Sequence, residues 1–144
     1  KVHGGSAMEW IDEAGVACTM EWSGERTVAV YAGGIRFKKP ISIGDLVEVD
    51  ARITRTEARS MNLVIQVRSG NPRGGRDALT PAIHATFTYV GVDIDGEPLA
   101  ARQYTPVTDE DKRLWEHTKK LKDLRQEYAP MPLVRPLDAQ QRLD

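Results

Sequence analysis

The sequence lacks the residues that build several common kinds of functional site. Its 144 residues include one cysteine, Cys18, so no internal disulfide can form, which indicates a reducing compartment. The three histidines, His3, His84 and His117, are too scattered for the ligand spacing of a zinc site. We therefore expect a cytoplasmic protein with no metal and no disulfide framework.

The sequence also has no excess of charge of one sign and no long apolar run. Lys and Arg number 20 against 21 Asp and Glu, which excludes the basic surplus of a nucleic-acid binder and the acidic excess of a disordered tail. No apolar run approaches the roughly 20 residues that cross a bilayer. The composition predicts one globular domain whose function depends on a local site. Because the chain begins at Lys1 and not at a methionine, native sequence is expected to precede it.

Hydrophobic spacing predicts a helix followed by strands. Met8, Ile11, Gly15 and Cys18 recur at three- and four-residue steps, so a helix is predicted over Ser6 to Thr19. Alternating or β-branched runs then predict strands, the first interrupted by a Gly33-Gly34 pair that indicates a bulge, a bend or a close approach. The runs cover residues 27–31 with 35–37, 47–53, 61–67 and 83–94, and a loop is predicted over 69–81.

A second helix is predicted near the C-terminus. Thr108 followed by three acidic residues is a helix-start signature, and the leucines and tyrosine that follow share one side of the helix. Prolines beyond Ala129 predict an extended tail. Short links between the strands favour an antiparallel sheet, and a sheet curled around the apolar first helix would bury it, which gives an α+β fold.

Acidic residues on the first helix have two interpretations. Glu9, Asp12 and Glu13 lie on one side because they are three and four residues apart. In the first interpretation they form the solvated face of an amphipathic helix. In the second, a sheet partly desolvates one of these carboxylates, which then acts as a general base that activates water.

Two glycines precede this helix. The first N–H groups of a helix have no intrahelical partner, so a carbonyl oxygen beside Gly4 and Gly5 would find donors as it gained negative charge. The alternative is a plain loop-to-helix entry, and His3 is either a donor at this place or a surface histidine.

Two further candidates have structural interpretations that we favour. Cys18 falls on the apolar stripe with no histidine at a helix-neighbour position, so a buried thiol is predicted in preference to a nucleophile. The loop from Asn71 to Arg76 lacks the ending of a nucleotide phosphate loop and is interpreted as a mobile hairpin. Its arginines, Lys38 and Lys39 remain candidates for contacts with phosphate groups.

At this level of detail the sequence resembles the hotdog-fold acyl-CoA thioesterases. The resemblance covers Val2 to about Pro98, and its parts occur in the family's order and at about its spacing. They are His3 to Ala14 (HGGSAMEWIDEA), Val28 to Phe37 (VAVYAGGIRF), Pro40 to Val49 (PISIGDLVEV), Arg59-Ser60-Met61, and Ala85 to Asp93 (ATFTYVGVD) through Gly96.

The resemblance implies an α+β hotdog fold, with an antiparallel sheet wrapped around the central helix and an added C-terminal helix. The hotdog domain would span residues 1–100, and residues 101–144 would form the C-terminal helix and extended tail. It implies a homodimer, assembling to a hexamer, with sites at the subunit interface and no cofactor, because CoA is part of the substrate. The implied reaction is hydrolysis of fatty acyl-CoA to a free fatty acid and CoA.

The resemblance also implies site residues. Asp12 matches the helix carboxylate that orients or deprotonates the attacking water, and Gly5 matches the glycine whose N–H faces the thioester oxygen, with His3 beside it. The expected CoA-binding residues are Arg59, Ser60, Met61, His84 and Lys38. Many relatives carry an Asn-x-x-Gly just upstream, a position that lies before Lys1; that residue is either present before Lys1 or lacking from the protein.

Two alternatives stay open at this stage. A hotdog dehydratase needs a histidine paired with an acid across the site, and the surroundings of His3 do not resemble that arrangement. The other alternative is a non-catalytic module that keeps the fold and a CoA groove and binds acyl-CoA without hydrolysing it.

Overall fold

The computed structural model describes residues 1–128, 131–133 and 135. In this part of the chain a helix precedes four antiparallel strands and a second helix follows them, as the sequence predicts. The sheet order is β1-β4-β3-β2, so β1 and β2 are its edges. The elements are α1 (Gly4–Ser23), β1 (Arg26–Phe37), β2 (Leu46–Thr56), β3 (Ser60–Gly70), β4 (Thr80–Val92) and α2 (Asp109–Glu127). Most of the predicted tail beyond Ala129 lies outside the described residues.

The core lies between α1 and one face of the sheet. α1 contacts all four strands and buries Ala7, Ile11, Gly15 and Thr19 against them. The predicted stripe is thus correct at Ile11 and Gly15, but Met8 and Cys18 are only half-buried. Thr19 tolerates burial because its hydroxyl bonds the Gly15 carbonyl and the Thr27 hydroxyl. The sheet contributes alternate residues of its central strands, Met61, Leu63, Ile65 and Val67 of β3 and Ile83, Ala85, Phe87 and Tyr89 of β4.

Strand β1 is irregular where the sequence predicts it. Its pairing with β4 shifts between Ala29 and Tyr31 and again between Gly33 and Arg36. Gly34 has a φ of 58°, a conformation that favours glycine. The prediction of a bulge at the glycine pair is therefore confirmed.

The last strand is shifted from its predicted bounds of 83–94. It begins at Thr80, inside the predicted loop, and ends at Val92. It stops there because the Asp93 carboxylate accepts hydrogen bonds from the backbone N–H groups of Asp95 and Glu97 and so forms a turn. Ile94, predicted to be a strand residue, is almost fully exposed in this turn.

Helix α2 packs on the opposite face of the sheet from α1. Thr108 and Asp111 form the expected capping box at its start. Its contacts with the sheet are polar or cation–π, since Arg52 pairs with Asp111, Arg55 lies over Trp115, and Thr118 donates to Thr54. The predicted apolar side is only partly the docking side: Leu121 lines clefts between α2 and the sheet although it is 41% exposed, whereas Leu124 and Tyr128 are exposed. Within the described residues, neither helix combines the length and apolar character needed to cross a bilayer.

Candidate active site

The first turn of α1 presents free backbone donors at the surface. The helix begins at Gly4 after His3, and Ala7 is the first residue whose N–H bonds back, to the His3 carbonyl. Gly5 is exposed, and a Cβ at this position would meet nothing within 4 Å, so the surroundings of its Cα are open. His3 is exposed, and its side chain does not cap the helix. The turn therefore has the donors and the access that an oxyanion site requires.

An open pocket of about 420 Å³ lies against this turn. Val2, Ala7, Phe37, Ile41 and Ile83 form an apolar lining. The rim is polar, since His3, Gly4, Lys38 and Lys39 border it. A pocket of this kind suits an apolar group attached to a polar or anionic one.

Asp12 is held by a tyrosine of the sheet. The hydroxyl of Tyr89 donates a hydrogen bond to Asp12 Oδ1 at 2.9 Å, and the Tyr89 side chain is completely buried. Burial, and then the Asp12 carboxylate, raise the pKa of Tyr89, so the hydroxyl keeps its proton and remains a donor. Asp12 itself is exposed in the single chain, so the sheet alone does not give the desolvation that we considered from the sequence.

Tyr89 is a candidate functional residue that the sequence reasoning did not single out. A Cβ at Gly15 would lie 2.1 Å from the Tyr89 hydroxyl oxygen, so only glycine at this position allows the ring to reach Asp12. The available signal was a glycine in mid-helix one turn after a carboxylate, which often marks the close approach of another group.

The predicted CoA-binding residues fall at two ends of the sheet. Lys38 borders the pocket at the α1 N-terminus, and His84 lies at the same end of the sheet but on its other face, whereas Arg59 and Ser60 lie at the β2–β3 hairpin. Gln66, which pairs with His84, lies six positions along β3 from Ser60, which corresponds to about 20 Å. Met61 is completely buried against α1, so its side chain is closed to a ligand in the single chain. One chain does not bring these residues together.

Other candidate groups are occupied by structural contacts. Burial, and then the Glu21 carboxylate, raise the pKa of the half-buried Cys18 thiol, which is unsuited to a nucleophile. Lys39 donates to the Ser69 carbonyl at 2.8 Å, and Arg76 of the glycine-rich loop pairs with Glu48. Across the described ranges, no group of three or more His, Cys, Asp or Glu is placed to hold a metal ion.

Comparison with known proteins identifies the family. A model described as the thioesterase superfamily matches residues 1–75. An acyl-CoA thioester hydrolase, YciA, from Salmonella typhimurium is 34% identical over 67% of this chain and 74% of its own length. A cytosolic acyl coenzyme A thioester hydrolase from Rattus norvegicus is 28% identical over 82% of this chain, which spans only 31% of that relative's length.

Solved structures agree with this assignment. An apo-hexameric acyl-CoA thioesterase superimposes with a TM-score of 0.81 and 29% identity, covering 88% of this chain and 80% of that one. An acyl-CoA hydrolase from Staphylococcus aureus, solved in complex with butyryl coenzyme A, gives 0.77 and 25% identity over 88% and 76%. The chain therefore belongs to the thioesterase superfamily and has the hotdog fold. The predictions of this family and this fold are confirmed.

Proposed function

We propose that the protein hydrolyses fatty acyl-CoA to a free fatty acid and CoA, with Asp12 as the base that activates water. The observation that carries this proposal is the hydrogen bond from Tyr89 to Asp12, which orients a carboxylate on α1. The relatives named as acyl-CoA thioester hydrolases support the substrate class. Their cytosolic member supports a cytoplasmic location.

The proposed reaction uses groups of the chain alone. Asp12 takes a proton from water as the water oxygen attacks the thioester carbonyl carbon, and the Gly5 N–H stabilises the resulting oxyanion. The tetrahedral intermediate collapses by breaking the C–S bond, and the proton held by Asp12 goes to the CoA thiolate. His3 lines the same pocket as Gly4, which supports a place for it beside the oxyanion. Because a thioester is already activated, this scheme requires neither metal nor cofactor.

The spacing along α1 favours a site that two subunits share. Gly5 and Asp12 are seven residues apart, a rise of about 10 Å along a helix. Within one chain, three contacts would have to bridge this distance: base to water, water to the thioester carbonyl, and the carbonyl oxygen to the Gly5 N–H. Each contact is about 3 Å, so the three reach about 10 Å only when they lie in a straight line. We therefore propose that Gly5 of one protomer and Asp12 of another serve the same thioester. This arrangement would also bring the two separated groups of CoA-binding residues to one site.

Strand β1 is the edge that we propose for dimerisation. It has one unpaired side and exposes Val28, Val30, Tyr31 and Phe37. An exposed apolar edge strand is a ready template for pairing with a second chain. Assembly of such dimers into a hexamer is supported by the hexameric thioesterase relatives, one of them from Yersinia pestis with 32% identity.

The experiment that tests the function is release of free thiol from a panel of acyl-CoAs of different chain lengths. We expect catalytic turnover, with one thiol released per thioester consumed. Calorimetric binding of CoA is measured in parallel. If CoA binds and no acyl-CoA of the panel releases thiol, the protein is a non-catalytic acyl-CoA-binding module and the proposal is wrong.

A further inference from the structure

A second cleft, of about 420 Å³, lies on the face of the sheet away from α1. Strands β1 and β4 form its floor and α2 its wall. Five basic side chains line it, Arg36, Lys38, His84, His117 and Arg125, and none of the described lining residues is a carboxylate. We call it the α2 cleft.

Among the described residues, Arg36, Lys38 and Arg125 of the α2 cleft differ from the other arginines near this face because they form no ion pair with a carboxylate. Arg52, Arg55 and Arg68 each pair with a nearby carboxylate. Within residues 1–128, no ion pair is formed by Arg36, Lys38 or Arg125. Three permanent positive charges therefore converge on one concave surface, and its described lining residues supply no compensating negative charge.

The positive charge of the cleft affects His84, which lies within it. Burial, and then Lys38 and Arg36, lower the pKa of His84. A lowered pKa is the expected effect of nearby positive charges on an imidazole. Independently of this effect, the convergence of the three permanent cations favours an anionic ligand.

Helix α2 fixes part of this arrangement. The Arg125 guanidinium lies over the Tyr31 ring, 3.7 Å from its centroid, in a cation–π contact. Stacking orients a planar guanidinium and leaves N–H groups at its edge for a phosphate oxygen. The cleft thus contains a partly preorganised donor from an element that lies beyond the residues of the family model.

We propose that the α2 cleft binds the phosphate groups of a nucleotide, with Arg36, Lys38 and Arg125 as the charged contacts. Its volume is in the range of small-ligand sites. Lys38 also borders the apolar pocket at the α1 N-terminus, so the two cavities are neighbours. If the proposed function holds, the nucleotide end of CoA is one source of these phosphates, and a separate nucleotide is the other.

The test is calorimetric titration of the full chain with adenosine 3′,5′-bisphosphate, which requires no hydrolysis. We expect binding that Arg125→Gln and Lys38→Gln each weaken about tenfold or more. Arg113→Gln, which removes the same charge from an exposed position of α2 outside the cleft, should bind as the wild type does. If both cleft variants match the wild type, or the wild type does not bind, the proposal is overturned.

A kinetic comparison distinguishes the two sources. When CoA supplies the phosphates, Arg125→Gln raises KM for acyl-CoA and leaves KM for acyl-pantetheine, which lacks the nucleotide, unchanged. When a separate nucleotide is the ligand, Arg125→Gln loses bisphosphate binding and both KM values stay as in the wild type. A protein that binds the bisphosphate but hydrolyses no thioester supports the cleft and contradicts only the proposed function.

Discussion

Replacing Asp12 by asparagine is expected to lower kcat for acyl-CoA hydrolysis by about 10²- to 10⁴-fold, the usual contribution of a general base. Asparagine has nearly the same shape, and its carbonyl oxygen can still accept the hydrogen bond from Tyr89. It cannot take a proton from water. KM and the melting temperature should therefore change little, and steady-state thiol release together with thermal unfolding measures all three quantities.

Glu13→Gln is the matched control for this variant. Glu13 is the next residue of α1, is also exposed, and loses the same charge on substitution. It should retain wild-type kcat, which separates loss of the base from a general change in charge on the helix. Equal activity of Asp12→Asn and the wild type would show that Asp12 is not the base.

The second large effect is expected from Gly15→Ala. The new Cβ would lie 2.1 Å from the Tyr89 hydroxyl oxygen and 2.5 Å from its Cζ, and the buried ring is stacked on Phe87. We expect the free energy of unfolding to fall by about 2 kcal/mol from overpacking, net of the gain in helix propensity. Displacement of the hydroxyl should also lower kcat. Denaturant unfolding and thiol release check the two effects.

Tyr89→Phe separates packing from positioning. This variant removes the hydrogen bond to Asp12 without adding volume, so it should cost only about 1 kcal/mol of stability. If the hydroxyl positions the base, kcat falls and KM does not. Tyr104→Phe, which removes a hydroxyl near Asp111 instead, should keep wild-type kcat. An unchanged kcat in Tyr89→Phe would mean that the hydroxyl has only a structural role.

Local patterns were sufficient to predict most of the fold. The three- and four-residue steps through Ile11 and Gly15 predict α1, and alternation predicts β2 and β3, because both patterns record which face of an element is buried. The docking side of α2 was predictable only in part, since Leu121 borders the clefts beside the sheet but the specific contacts are polar or cation–π. Its contacts use Arg55 stacked on Trp115 and a hydroxyl pair, and polar contacts of this kind have no apolar periodicity.

The candidate site was only partly predictable for a related reason. Asp12 and Gly5 were found because helix geometry and the family resemblance both point to α1. The contact between Tyr89 and Asp12 joins residues 77 positions apart, and only the folded sheet brings them together. Sequence order likewise does not reveal that Ser60 and His84 lie at different ends of the sheet.

The central claim, that two subunits share each site, is tested most directly by mixed oligomers. One variant is Asp12→Asn, and the other is Gly5→Pro, which removes a first-turn N–H that no helix bond uses. Each variant alone should be nearly inactive. Coexpression should restore about a quarter of wild-type kcat, because half of random dimers are mixed and each mixed dimer contains one intact site of two. If the mixture stays as inactive as its components, Gly5 and Asp12 act within one chain and the account is contradicted.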